Sequence, residues 1–291
     1  MKNILAGLFF AMLWASASAA TKIGLLDAQP FVIGNCRFFI AGFIMLCASL
    51  IFQKSRLPQG KEWKQLAIYG FLNVTLYLGC FVLAMKKVSA GIGSLSTATN
   101  PLIISVISAI WMKRAIKKGE LTGLILGIAG VAIATYPLLV KSYASVDGLL
   151  ILATSMISYS VGTIYYSQQK WDLPLLTING WQVLIGGVML LPVTFLMTDW
   201  ENNHYTVRFW SSVFWLVVPV SIAAVQLWLY LLKTDAVKAS LWLFLCPIFG
   251  FLYASVLLDE PITTYTYIGT ALVILGLYVA QREKFQSKSS T

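Results

Sequence analysis

Apolar residues in this chain come in long unbroken runs separated by short polar stretches. The runs fall at about 3–26, 31–52, 66–85, 91–112, 121–140, 147–168, 174–197, 210–232, 236–257 and 265–281. Each is close to the ~20 residues that a helix needs to cross a bilayer. They are continuous rather than alternating, whereas a strand-built pore shows short alternating segments, so the pattern predicts helices. Pro101, Pro192, Pro219 and Pro247 fall inside runs. A bilayer helix tolerates them where neighbouring helices or cavity water satisfy the freed carbonyls.

The runs repeat. Ala90, Ser94, Leu95, Pro101, Ile116, Gly123, Leu126, Ile128, Gly130 and Ala134 recur 146 residues later as Ala236, Ser240, Leu241, Pro247, Ile262, Gly269, Leu272, Ile274, Gly276 and Ala280. At a spacing of 144, Pro30, Asn35, Gly42, Met45 and Leu46 match Pro174, Asn179, Gly186, Met189 and Leu190. A weaker match of Gly7-Leu8 to Gly148-Leu149 pairs the first run with the sixth. Two units of five spans each follow, and an odd number of spans turns the second unit upside down relative to the first. The expected fold is an all-α integral membrane protein of ten transmembrane helices in two inverted five-helix repeats, 1–143 and 144–285, with a tail at 286–291. Such repeats place a substrate site at their interface.

Composition agrees. Charged residues make up 11% of the 291 and hydrophobic ones 58%, against the ~25% charged expected of a soluble chain. The net charge of +10 could suggest nucleic acid, but no basic patch sits on a foldable soluble module. The basic residues instead sort by side. With the N-terminus in the cytoplasm, fifteen of the 21 Lys and Arg fall on that side, five on the other, and Arg37 within a span. The positive-inside rule then puts both termini in the cytoplasm, which suits an even number of spans. Cys36, Cys47, Cys80 and Cys246 lie scattered in apolar stretches and read as small buried residues.

The first twenty residues imitate a secretory signal: Lys2, an apolar run from Ile4 to Trp14, then Ala15-Ser16-Ala17-Ser18-Ala19-Ala20. Apolar character resumes through Ile23-Gly24-Leu25-Leu26, and the second unit carries its own version from Gly148 to Tyr159. The segment is expected to be the first transmembrane helix, its small residues admitting close neighbours.

Particular residues add a family likeness. Trp14 is followed by small residues, and Arg37-Phe38 lies in the second span. Ala84-Met85-Lys86-Lys87-Val88-Ser89-Ala90 leads to the Pro101 helix, and the chain closes with Asp259-Glu260-Pro261-Ile262-Thr263, Gly269 and Gly276. In these the chain resembles the EamA-type exporters of the drug/metabolite transporter superfamily over nearly its whole length. Lys113-Arg114-Ala115 departs from the pattern where an acidic-Pro turn is expected. The resemblance implies ten helices, two EamA-like repeats and the movement of small metabolites, often amino acids and their relatives, usually outward. It also implies a central cavity among the first, third, fourth, sixth, eighth and ninth helices.

Arg37 is the one clearly intramembrane charge. It reads as a gate or an anchor for a carboxylate, or else as a side chain that snorkels to the interface or pairs with backbone carbonyls. No Asp or Glu lies deep in a span, which argues against proton exchange through a buried carboxylate and for facilitated diffusion or exchange. Trp14, Asn73, Tyr77, Asn100, Tyr159, Gln226, Tyr230 and Trp242 put polar or amphipathic groups within helices and are the candidate substrate-binding residues. Each could equally be helix-packing glue, and Trp and Tyr near span ends could be interface anchors. Pro101 and Pro247 are the candidate helix-bending residues, Asn100 directly preceding the first. His204, in the polar loop Asp199-Trp200-Glu201-Asn202-Asn203, reads as solvated. Gly123, Gly127 and Gly130, with Gly269 and Gly276, space like a close-packing face.

The expected function is secondary transport of small metabolites, amino acids or related compounds, across a bacterial inner membrane by alternating access. No phosphate loop, HExxH or Ser/His/Asp set points to an enzyme, and no metal site or cofactor is expected. A membrane-embedded enzyme on lipid-linked substrates, or a sensory protein without flux, is the alternative. The expected partners are a small-molecule substrate and the lipid bilayer, with no nucleic acid, in a monomer or homodimer.

Overall fold

The long apolar runs become helices because lipid offers no hydrogen bonds, so each backbone N–H and C=O must be satisfied within its own segment. The computed structural model describes the chain apart from residues 1, 112, 114, 116–117, 141–143, 234–238, 240 and 289–291. Side chains at 2–3, 120, 138–139, 241, 277 and 280–288 are likewise outside it. Ile116, Arg114, Ala236 and Ser240, with the side chain of Ala280, therefore lie outside the described residues.

The helices are α1 (Lys2–Gly24), α2 (Pro30–Gln53), α3 (Lys61–Met85), α4 (Ala90–Trp111), α5 (Lys118–Val140), α6 (Val146–Gln168), α7 (Leu175–Met197), α8 (Val207–Leu232), α9 (Trp242–Leu258) and α10 (Thr264–Lys288). Among the described residues there is no strand. Among the described residues seven helices, α1 to α4 and α6 to α8, are long and apolar enough to cross a membrane. In the fifth, ninth and tenth expected spans the described residues give the apolar stretches Leu121–Pro137, Trp242–Leu258 and Thr264–Gly276. Outward-facing side chains are apolar and large: Phe43, Leu150, Phe195 and Val256 are each more than 60% exposed. Spread over a whole bundle, such a surface suits lipid and not water.

The ends are set by local chemistry. Pro30 opens α2, where its missing N–H costs nothing. Ser89, Ser145 and Thr206 cap α4, α6 and α8 by accepting from the N–H of Ile92, Gly148 and Phe209.

α1 runs through the middle, against α3, α4, α8 and α9. Its small residues permit this: Ala11 and Ala15 are buried, and Ser94 on α4 donates to the Ala15 carbonyl at 3.2 Å. Around it, helices pair antiparallel. Ser49 on α2 bonds Thr177 early in α7, while Asn35 bonds Thr194 late in α7. In α4 and α9, Gly91 faces Phe251 and Ser94 faces Gly250.

α5 and α10 pack closest. A Cβ on Gly276 would sit 2.6 Å from the Gly123 carbonyl, and one on Gly130 would sit 2.5 Å from that of Gly269. The contact is reciprocal in the repeat, because Gly123 corresponds to Gly269 and Gly130 to Gly276.

Two helices widen and two are interrupted, at matching places. α3 is a π-helix over Phe71–Leu76 and α8 over Leu216–Ala224, around Pro219. α4 breaks at Ala98 and Thr99, just before Asn100-Pro101. The 3-10 helix Leu241–Leu245 leads into α9, which turns α-helical at Cys246, with Pro247 in the first α-turn. Pro101 and Pro247 thus stand at the start of regular helix, where the lost donor is tolerated.

The glycine contact sets an expected outcome. Gly130→Val forces a branched side chain against backbone that cannot retreat, and overpacking of this kind costs about 1–3 kcal/mol. Thermal unfolding in detergent should show a lowered melting temperature for Gly130→Val and an unchanged one for Ile128→Val, whose side chain faces outward.

Candidate functional site

The most costly residue to place in this fold is Arg37. It lies seven residues into α2, about 10 Å from the helix start at 1.5 Å per residue, and is 1% exposed. It does not snorkel. Nε donates to Ser221 Oγ on α8 at 2.7 Å, and the guanidinium carbon lies 5.9 Å from the Phe38 ring centre. Nη1 is buried with no hydrogen-bond partner among the described residues.

Arg37 borders an enclosed cavity of about 10 Å³, room for a single water. Trp14, Ser18, Tyr77, Ser94 and Thr97 line it with the guanidinium. Among the described residues no Asp or Glu lines it. The rings beside it form one cluster: Tyr77 and Tyr159 centre 4.8 Å apart, and Trp14 lies 6.4 Å from Tyr77 and 6.1 Å from Tyr159. Phe10 and Trp228 extend it, stacked at 5.1 Å. α1, α3, α6 and α8 thus converge on one aromatic chamber with a cation at its edge. The Tyr159 hydroxyl and the Asn100 amide nitrogen, both buried, have no hydrogen-bond partner among the described residues. Asn100 Oδ1 accepts weakly from Ser160 on α6 at 3.5 Å.

The other candidates lie elsewhere. Asn73, in the π segment of α3, donates to Gln182 Oε1 at 3.1 Å; Gln182 donates to Asn179 at 3.0 Å, and Asn179 to the Ser221 carbonyl at 2.9 Å. With Arg37 on Ser221, this chain ties α2, α3, α7 and α8. Gln226 reaches the Leu175 carbonyl at 3.4 Å, at the start of α7. Trp242 lies flat over Gly7 of α1, where any Cβ would strike its indole. Tyr230 is 42% exposed on α8.

Sequence reasoning passed over Ser221, Gln182, Thr97, Phe10 and Trp228. Asn179 and Gln182, three apart in an apolar run, form a polar face of α7 that periodicity could have found. Phe10 and Trp228 gave no signal, being apolar residues among many.

One end of the bundle is tied by loops. Asp27, after α1, accepts from Arg208 Nε at 2.8 Å and from Thr206 at 2.6 Å, and its carbonyl accepts from the His204 N–H at 2.7 Å. The Arg208 hydrogen bond first, then that of Thr206, holds the Asp27 carboxyl down at about 2. At the same end Glu260 caps α4 from the α9–α10 loop, accepting from Ala90 N at 2.7 Å and Gly91 N at 3.0 Å. Glu260 also borders an open polar basin of about 420 Å³ with Lys22, Lys86 and Lys87. One turn deeper, Gly93 packs against Met85 and Ser18 and separates this basin from the Arg37 cavity. Among the described residues no group of three or more His, Cys, Asp or Glu could hold a metal.

These features define a multi-pass membrane protein with a closed polar and aromatic chamber between its helices, the class to which transporters belong. The chain belongs to the EamA-like transporter family, whose pattern it matches twice, over residues 1–136 and 147–281. It is 26% identical to a protein of Synechocystis named as an uncharacterized transporter, over 94% of this chain and 88% of that one. It is 24% identical to the Bacillus subtilis "Uncharacterized transporter YvbV" over 97% and 92%, and 25% identical to Protein PecM of Dickeya dadantii over 92% and 88%. A solved structure matches with a TM-score of 0.71 over 96% of each chain at 20% identity, a likeness of fold. Family and relatives point to a transporter rather than an enzyme.

The Asp27 tie has a pH signature. A carboxyl held below its unfolded value of about 3.9 adds stability above that pH and loses it as pH falls through the folded value. The difference in melting temperature between the native chain and Asp27→Asn should be constant from about pH 8 to 5 and shrink between about pH 4 and 2.

Proposed function

We propose that the chain is a secondary transporter that exports small metabolites, amino acids and related compounds, by alternating access of a central chamber. The observation that carries this is the enclosed group of Trp14, Arg37, Tyr77 and Tyr159, where helices of both halves of the sequence meet. Arg37 would hold a carboxylate, and the rings would offer apolar faces and cation–π contact. Asn100, with its unpartnered amide nitrogen, would supply a further hydrogen bond. Asn73, Gln226 and Trp242 would act at the chamber's margins through the helices they tie, and Tyr230 from the outer side of α8.

The proposed architecture is ten spans in two inverted repeats, 1–143 and 144–285, in a bacterial inner membrane with both termini cytoplasmic. Three observations support it. The family pattern matches twice. The α5–α10 contact exchanges corresponding glycines, as two copies related by a two-fold axis would. The π segments of α3 and α8 also stand about 146 residues apart. The breaks before Pro101 and Pro247 would let α4 and α9 bend as the halves rock. Without a carboxylate deep in a span to exchange protons, the mode would be facilitated diffusion or exchange.

Two measurements test the reading. In proteoliposomes, an outward gradient of unlabelled amino acids should drive uptake of labelled ones. Trp14→Ala should reduce it about tenfold or more, a loss of about 1.4 kcal/mol in recognition. Flat uptake across a broad metabolite panel would sink the transport reading. For orientation, single cysteines at Lys86 and Lys54 in a cysteine-free chain should react with an impermeant maleimide on whole cells at Lys86 alone. Labelling at Lys54 instead would invert the topology.

A further inference from the structure

Arg37 is a buried cation for which the described residues supply no counter-charge. It is 1% exposed, and among the described residues its Nη1 has no partner and its cavity holds hydroxyls and rings but no carboxylate. Insertion scales set the cost of an arginine at the centre of a span at about 3 kcal/mol. Among the described residues, the hydrogen bond to the neutral Ser221 hydroxyl and the Phe38 ring under the guanidinium offset only part of that cost. Such a site is completed from outside the chain.

We infer that the site takes a net monoanion, a carboxylate with an apolar or aromatic body and no ammonium, and that the carrier works as an anion exchanger. This rests on the transport reading above and, within its range of small metabolites, moves the preferred substrate from amino acids to related carboxylates without the ammonium. The argument is one of charge. A carboxylate against Arg37 makes the loaded chamber electrically neutral. A zwitterionic amino acid brings its ammonium as well, leaves the chamber with a net positive charge, and finds only ring faces for the second cation. The closed cavity of about 10 Å³ holds no more than a water, so the anion would enter as the halves part; Trp14, Tyr77 and Phe81 would then meet its apolar part, and Ser94 and Thr97 a further polar substituent.

Exchange follows from the same charge. The loaded carrier turns with its cation neutralised, whereas the empty one must turn with an unpaired cation in the membrane interior. Return is therefore fast with an anion and slow without. In the basin above the cavity Lys22, Lys86 and Lys87 outnumber Glu260 and the Asp147 carboxylate paired with Lys87, and this net positive charge would draw anions to that mouth.

The test uses the full chain and matched probes. 3-Phenyllactate and 2-hydroxyisocaproate differ from phenylalanine and leucine only in carrying a hydroxyl in place of the ammonium; phenyllactamide removes the charge. In detergent, the two hydroxy acids should raise the melting temperature, the amino acids less, and the amide not at all, since a ligand stabilises by its affinity for the folded state. In proteoliposomes, efflux of labelled 3-phenyllactate should rise about tenfold when unlabelled 3-phenyllactate is placed outside, the slow step being return of the bare cation. Arg37→Gln should abolish the anion-dependent thermal shift, and Arg37→Lys, which keeps the charge, should retain part of it. Equal shifts from amide and acid would overturn the inference. So would amino acids that stabilise as well as the hydroxy acids, or efflux indifferent to outside anion. Phenylalanine flux without any shift from the hydroxy acids would refute it while leaving the transport reading standing. A shift without flux of any metabolite would refute exchange and transport together.

Discussion

A polar group inside a bilayer must find its partner within the protein, and this condition organises the molecule. The Asn73–Gln182–Asn179–Ser221 chain exists because three side chains and a backbone carbonyl, on three helices, have no water to turn to. Hydroxyls follow the same rule, Ser155 and Ser158 of α6 bonding the carbonyls of Tyr77 and Leu72 in α3. Each bond is modest by itself, about 1 kcal/mol in membrane helices, but each also forbids neighbouring registers. Arg37 is the limiting case, a group too demanding for its one neutral partner.

The backbone departs from regular helix where this polar interior is densest. The π segment of α3 contains Asn73 and Thr75, and that of α8 contains Ser221, so wide turns and buried hydrogen bonds coincide. A π turn shifts the helix face by one residue and leaves carbonyls open to side-chain donors. α4 and α9 relax in another way, by a break and by a 3-10 turn, each followed by a proline. Regular packing is left to the flanks, where α5 and α10 close on each other through glycine.

Much of this was legible in the chain. Long apolar runs gave the helices, and the recurrence of Gly123 and Gly130 as Gly269 and Gly276 marked the close-packed pair. Trp14, Tyr77 and Tyr159, picked as amphipathic residues within runs, lie together. Asn73 was equally conspicuous but bonds away from that chamber, because letters do not say which way a helix face turns. The π segments were illegible, since nothing in Phe71–Leu76 forbids an ordinary helix. So was Arg37's isolation, which depends on what α8 brings opposite it.

Glu260 caps a helix that precedes it by 170 residues. When α4 leaves the ribosome, its first backbone donors have Ser89 and water but not this carboxylate. They acquire it only once α9 has been inserted and the turn after it has formed. The early half of the chain therefore cannot complete its own fourth helix, and assembly closes backwards, the last segments made finishing the first. Order of synthesis and order of completion run in opposite directions along the same polypeptide.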